Sequence, residues 1–243
     1  MASTLVLGST GMTGSHILST LLALPPSQVP SVQTISRRPP PQPSMTSAST
    51  PKLEAKVEKE TAKWESLIST SPGPQIVFSA LATTRAAAGG FDQQYLLEHN
   101  LNIALAKKAR EAGSNTYVLI SAANANPEAR FAYTRMKGEI ERDVLALDYA
   151  HTVILRPGLI GGRRDESRPA EAVIRWIADG LGYISGGRLK DFWTQDADVI
   201  GRAAVRAGLR AQRGELPGKS TILYGKDIIA LGKEPLKEQE RSE

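Results

Sequence analysis

The sequence predicts one α/β domain, a doubly wound parallel sheet with a small C-terminal substrate-side portion. Three observations predict it. Short runs of β-forming apolar residues alternate along the chain with stretches of helical period, an order that implies right-handed β-α-β crossovers and helices on both faces of a sheet. Behind the first of these runs stand three glycines at every third position, Gly8, Gly11 and Gly14. Finally, 243 residues that are 41% apolar and include no cysteine suit a single core built without disulfide or metal-thiolate staples.

Thr4 to Leu7 reads as the first strand, and Ile17, Leu18, Leu21 and Leu22 then recur at helical spacing until Pro25-Pro26. Val32 to Ile35 is a candidate second strand. Residues 39–51, PPPQPSMTSASTP, hold five prolines and read as a polyproline-like or mobile loop. The following KLEAKVEKETAKWESLI fits one helix or a strand followed by a helix, and we take the second. Ile76 to Leu81 is a strand, Gln93 to Ala112 a helix stopped at Gly113, and Thr116 to Ile120 a strand. Tyr133, Met136, Ile140, Val144 and Leu147 share one helix face, and His151 to Leu155 is a strand ended by Pro157-Gly158. Helices are expected over Ala170 to Ala178 and Val199 to Leu209, with a strand at Thr221 to Tyr224 and a frayed tail over 232–243.

Composition narrows the partners. A net charge of +5 and a pI near 9.4 permit anionic cofactors, lipid headgroups or nucleic acid. With 5% aromatics and no basic-aromatic interleaving, nucleic acid is set aside. His16, His99 and His151 show no metal spacing, so no metal is expected. Residues 1–36 carry no Lys, Arg, Asp or Glu, so the N-terminus reads as folded protein rather than a targeting segment. No apolar stretch approaches the ~20 residues that span a bilayer, and any membrane contact is expected to be peripheral.

Gly8-Ser9-Thr10-Gly11-Met12-Thr13-Gly14 follows a strand and opens a helix. That context suits a pyrophosphate, which backbone without Cβ can approach and which a helix N-terminus attracts; an ordinary turn is the alternative. At the end of the second strand, NAD-binding folds place an acid on the ribose 2′-hydroxyl. This chain reads Ser36-Arg37-Arg38 instead, and guanidinium forks suit a 2′-phosphate, which points to NADP.

Tyr133 and Lys137 stand four apart on one helix face, with Ser121 at the end of the preceding strand. A phenol starts near pKa ~10, a neighbouring ammonium lowers it, and such a phenol can exchange a proton with a substrate oxygen. Ser121 would hydrogen-bond the same oxygen; a half-buried tyrosine beside a solvated lysine is the plain alternative.

The ordered combination of glycine turn, arginines, Ser121 and Tyr133-x-x-x-Lys137 resembles the short-chain dehydrogenase/reductase superfamily over roughly residues 1–165. The stretches LGSTGMTG, SALATTRAAAGG, YVLISAANAN, YTRMKGEIE and LRPGLIGGRRDESR are similar to its atypical members related to the human Tat-interacting protein, above all fungal relatives lying peripherally on the mitochondrial outer membrane. The resemblance implies a Rossmann fold facing the cytosol with NADP as cofactor. It assigns Gly8, Gly11 and Gly14 to the phosphates, Arg37 and Arg38 to the adenosine phosphate, and Ala80, Leu81 and Thr83 to a loop passing the cofactor. Lys137 would reach the nicotinamide ribose, Pro157, Gly158 and Leu159 would flank the nicotinamide, and Ser121, Tyr133 and Lys137 would be catalytic. Here Ala80-Leu81-Ala82 replaces the superfamily's common Asn-Ala-Gly, and the proline-rich segment stands where a helix would follow strand two.

Three features stay open at this stage. Asn102 is a candidate catalytic asparagine or a solvated residue. Arg163, Arg164 and Arg168 suit an anionic substrate, the cofactor phosphates or a solvated loop. Arg202, Arg206 and Arg210 line one helix face, for lipid headgroups or for water. The sequence thus supports an NADP(H)-dependent oxidoreductase of an unidentified small-molecule carbonyl or hydroxyl, or else an NADP(H)-binding sensor or scaffold.

Overall fold

A computed structural model describes residues 2–41, 49–70, 72–161 and 194–234. Strands β1 (Thr4–Leu7), β2 (Ser31–Ser36), β3 (Lys52–Val57), β4 (Ile76–Ser79), β5 (Thr116–Ile120) and β6 (His151–Arg156) are followed by β7 (Leu159–Gly161), β8 (Thr194–Asp196) and β9 (Ser220–Tyr224). Seven of them form one sheet in the order β3-β2-β1-β4-β5-β6-β9, and every neighbouring pair is parallel. β7 and β8 pair separately, also in parallel.

The central strands are apolar on both faces, as a sheet covered twice requires. Period-two alternation divides their side chains between two cores. Val6, Phe78, Val118 and Val153 meet α1 (Met12–Leu22), with its Ile17, Leu18 and Leu21. Leu5, Leu7, Val77, Tyr117, Leu119 and Ile154 point the other way. That second face is covered by α2 (Trp64–Leu67) through Trp64, after which come the short helices α3 (Arg85–Ala88) and α4 (Phe91–Tyr95). A π-helical turn, Leu96–Asn100, joins α4 to α5 (Leu101–Glu111) without a break, and α6 (Ala132–Leu145) lies beside them. Leu105, Ala109, Met136, Ile140 and Val144 complete this layer.

The first layer is closed by α7 (Ala197–Gln212) and α8 (Gly225–Lys233). α7 buries a row of small residues, Gly201, Ala203, Ala204, Ala207 and Gly208, so α1, α8 and the sheet all approach it closely. The helix expected over Ala170 to Ala178 and the residues Arg163, Arg164 and Arg168 lie outside the described residues, as do residues 42–48 of the proline-rich loop and residues 235–243.

Two expectations need correction. The segment read as tail begins inside α8, where Gly232 packs so closely that a Cβ would lie 2.3 Å from the Val199 carbonyl oxygen. The arginine stripe on α7 is half-buried against the end of α8. Arg202 donates to the Gly232 carbonyl at 2.8 Å, Arg206 to those of Leu231 and Glu234 at 2.6 Å each, and Arg210 pairs with the Glu234 carboxylate at 2.9 Å. Carbonyls at a helix C-terminus lack intrahelical donors and carry partial negative charge. The stripe satisfies them and clamps α8 to α7.

Replacing Arg206 by Ala should therefore loosen α8 first. We expect a loss of about 1–2 kcal/mol and faster hydrogen exchange at α8 amides than at β1 or β4, measured by mass spectrometry.

Candidate functional site

Strand order reverses at β1, with β2 on one side and β4 on the other, and ligand crevices in open α/β sheets form at the carboxyl ends of strands around such a point. The glycine turn lies there. Gly8 has φ +79°, and a Cβ on it would stand 2.5 Å from the Ala80 carbonyl oxygen. Gly14 comes still closer to backbone, its Cβ position being 2.0 Å from the Gly8 oxygen. The Gly11 N–H donates to that oxygen at 2.9 Å, closing the turn. Gly11 then caps α1 with extended backbone; no side chain caps the helix and no acid stands in its first turn. Thr13 is buried, and the buried Ser9 hydroxyl has no hydrogen-bond partner among the described residues. An uncapped N-terminus, an orphaned hydroxyl and backbone that no Cβ shields together fit a dinucleotide pyrophosphate.

The other expected cofactor residues gather along the same edge. At the end of β2 the Ser36 hydroxyl donates to the Arg38 carbonyl at 2.7 Å, and the Arg38 guanidinium reaches the Thr10 carbonyl at 3.3 Å. Arg37 and Arg38 are both exposed there. Ala80 and Leu81 pack against Gly8. Thr83, two residues on, donates its N–H to Glu98 at 2.9 Å. Pro157 accepts from the Ala123 N–H at 2.9 Å, which sets the Pro157-Gly158-Leu159 segment beside the chain leaving Ser121.

The three expected catalytic residues stand on β5 and α6. Ser121 follows β5, and its N–H donates to the Leu155 carbonyl at 2.8 Å. Tyr133 is half-buried in the first turn of α6, with the Lys137 ammonium 5.9 Å from its ring centroid. Lys137 is buried and faces Glu98 Oε2 at 2.8 Å, a charge contact rather than an aligned hydrogen bond; the two side chains are 5% and 1% exposed. Burial pulls the ammonium's pKa down, but Glu98 chiefly, with Tyr133 and Glu141, outweighs it and holds Lys137 above the ordinary lysine value.

Two acids that sequence reasoning missed thus organise the site. Glu98 is one, and Glu141 is the other. Glu141 accepts the Ser121 hydroxyl and is gripped by Arg156 through both carboxylate oxygens, at 3.0 and 3.2 Å from Nε. Arg156 in turn lies 5.7 Å from the Tyr224 ring centroid. A signal for Glu141 was present: Lys137 and Glu141 are interleaved with Met136, Ile140 and Val144 on the buried stripe of α6. Asn102 is buried rather than solvated. Its carbonyl oxygen accepts from Ser79 at 2.8 Å and from Tyr117 at 2.6 Å, pinning α5 to the sheet.

Residues 4–190 match the NAD dependent epimerase/dehydratase family. The chain belongs to that family. Among its relatives, "Protein fmp52, mitochondrial" of Aspergillus clavatus is 55% identical over 236 residues, covering 96% of this chain and 99% of that protein. The protein of the same description from Neurospora crassa is 42% identical over 241 residues, covering 97% of each. Solved structures of the fold include MoeE5 in complex with UDP-glucuronic acid and NAD, with a TM-score of 0.64 at 19% identity over 91% of this chain and 75% of that one. A short chain dehydrogenase family protein from Francisella tularensis gives 0.60 at 16% identity, over 93% and 98%. The family's neighbours thus include NAD-bound proteins on the same scaffold.

Two outcomes test this geometry within the family member itself. Gly14→Ala must push a methyl into the Gly8 carbonyl, and we expect a loss of about 1–3 kcal/mol in denaturant unfolding. Lys137→Met leaves Glu98 buried without its cation, at a cost of about 3–5 kcal/mol. Since Lys137 is raised above its ordinary 10.5, the pair's contribution is complete below that value and lost as pH rises through the folded one. The melting-temperature gap between Lys137→Met and the parent should accordingly narrow as pH rises above about 10.

Proposed function

We propose that this chain is an NADP(H)-dependent oxidoreductase acting on a carbonyl or hydroxyl group. In this reading Gly8, Ser9, Thr10, Gly11, Met12, Thr13 and Gly14 hold the pyrophosphate, and Arg37 and Arg38 the 2′-phosphate. Tyr133 exchanges the proton with the substrate oxygen, Lys137 stands beside it and reaches the ribose, and Ser121 orients that oxygen. When bound, the nicotinamide supplies or accepts the hydride. The observation that carries the reading is the uncapped α1 N-terminus with the unpartnered Ser9 hydroxyl, set one strand from two exposed arginines.

NADP preference follows from guanidinium groups standing where an acid would otherwise bind the ribose 2′-hydroxyl. NADPH should bind at least about tenfold more tightly than NADH, a difference of about 1.4 kcal/mol, and Arg37→Asp should erase it. Equal affinities in the parent protein would refute the preference. In a panel of aldehydes, ketones and quinones, Tyr133→Phe should cut turnover by about 100-fold.

A second reading has its own support. The Ser121 hydroxyl and the Lys137 ammonium are each engaged by a buried carboxylate, an arrangement that also suits a protein holding NADP(H) as a sensor or scaffold. NADPH binding without reduction of any carbonyl in the panel would favour it.

For location, the relatives are described as mitochondrial. Resemblance to the Tat-interacting-protein type suggests the cytosolic face of the outer membrane, held peripherally. Alkaline carbonate should release the protein from isolated mitochondria, and external protease should digest it. Protection from protease would overturn that placement.

A further inference from the structure

Glu98 has no part in the Ser-Tyr-Lys reading, yet it is 1% exposed in the middle of the helix that runs from α4 to α5. A carboxylate so enclosed is costly unless charged and polar partners surround it. Its partners come from two directions. Oε1 accepts from the Thr83 N–H at 2.9 Å and from Gln94 Nε2 at 2.8 Å, while Oε2 faces Lys137 Nζ at 2.8 Å. Gln94 also donates to the Thr83 carbonyl at 3.0 Å. One carboxylate therefore joins the loop after β4 to the lysine of α6.

The π turn explains how it gets there. Gln94, Glu98 and Asn102 recur every fourth residue and are 3%, 1% and 1% exposed. On an α-helix a row of that spacing drifts around the axis by roughly 40° per step. The wider i→i+5 turn at Leu96–Asn100 takes up the drift. Asn102 stays on Ser79 and Tyr117, Gln94 stays on Thr83, and Glu98 is delivered between the β4 loop and α6.

We propose that Glu98 is a positioning residue of the nucleotide site, holding Lys137 as a placed cation and locking the Thr83 loop to α6 so that both meet the nicotinamide half of the cofactor as one unit. This rests on reading Lys137 and Thr83 as cofactor contacts. An ammonium has three donors, and the contact with Glu98 engages one side of Lys137. The ionisable groups acting on Lys137 are Glu98, Tyr133 and Glu141. Glu141 is itself held by Arg156 and Ser121, which leaves Glu98 as the charge that fixes the lysine. Without it, a buried ammonium sheds its proton far more easily.

The test uses the full chain labelled with ¹⁵N-lysine and compares the parent, Glu98→Gln, Lys137→Met and the double variant, without nucleotide and then with NADPH. In Glu98→Gln the Lys137 Nζ signal should titrate at least about two pH units below its parent value. NADPH affinity should fall about tenfold or more at a pH between the two midpoints. A merely structural Glu98 would lower the melting temperature and move that titration but leave NADPH affinity of the folded variant unchanged. In the double variant, where neither charge remains, the melting temperature should recover most of what either single variant loses, while NADPH affinity should not recover. Titration within half a unit of the parent, unchanged NADPH affinity in Glu98→Gln, or a double variant no more stable than the singles would each overturn the proposal. Failure of the parent to bind NADPH would instead overturn the cofactor reading itself, and the nucleotide-free titration would separate the two failures.

Discussion

The carboxyl edge of the sheet depends on one close crossing of backbone, Gly14 of α1 over the carbonyl of Gly8. With a Cβ position only 2.0 Å from that oxygen, the crossing admits no side chain, and it fixes where α1 begins relative to β1. Because β1 is the strand at which the order of the sheet reverses, the same crossing decides what faces the crevice between β2 and β4. It also presses Gly8 against Ala80, so the loop after β4 is placed by contact with the turn. Helix packing behind the turn keeps it there: Gly201 of α7 lets that helix lie directly on His16 and Ile17, and the arginines of α7 hold α8 in the same layer.

On the other face of the sheet, electrostatics takes over from close packing. α6 carries Lys137 and Glu141 one turn apart in the midst of an apolar stripe, and each finds its countercharge on a different element, Glu98 on the π turn and Arg156 at the end of β6. Buried ion pairs add little net stability compared with apolar packing, but losing one partner is expensive. Their effect here is to fix register. Both pairs form with α6 where it lies on the sheet, and the same placement brings the Glu141 carboxylate to the Ser121 hydroxyl at the end of β5. Asn102 does the same for α5 through Ser79 and Tyr117. Polar pins of this kind let a site be held by regular elements although the loops around it are irregular.

The architecture was legible because parallel strands covered on both faces are nearly unbroken apolar runs, as in Leu5-Val6-Leu7 and Val118-Leu119-Ile120. The glycine turn was legible because spacing and position coincide. Less visible was α8, whose sequence GKDIIALGK is bracketed by glycines and followed by a charged stretch. The reason Gly232 is glycine is its contact with Val199, which no local pattern reveals. The arginines of α7 misled for a related cause: periodicity identifies a face, but not what lies against it. Glu98 and Glu141 escaped because an acid inside a helix reads as solvated surface. Only tertiary placement shows that Gln94, Glu98 and Asn102 form a buried polar row.

The most direct measurement of the central claim is a crystal structure of the protein grown with NADP⁺. The account predicts density for the pyrophosphate over the N-terminus of α1, a hydrogen bond from the Ser9 hydroxyl to it, the 2′-phosphate between Arg37 and Arg38, and the nicotinamide between Lys137 and Pro157. Nucleotide bound elsewhere, or a turn that stays empty at saturating NADP⁺ with the Ser9 hydroxyl still unpartnered, would contradict it.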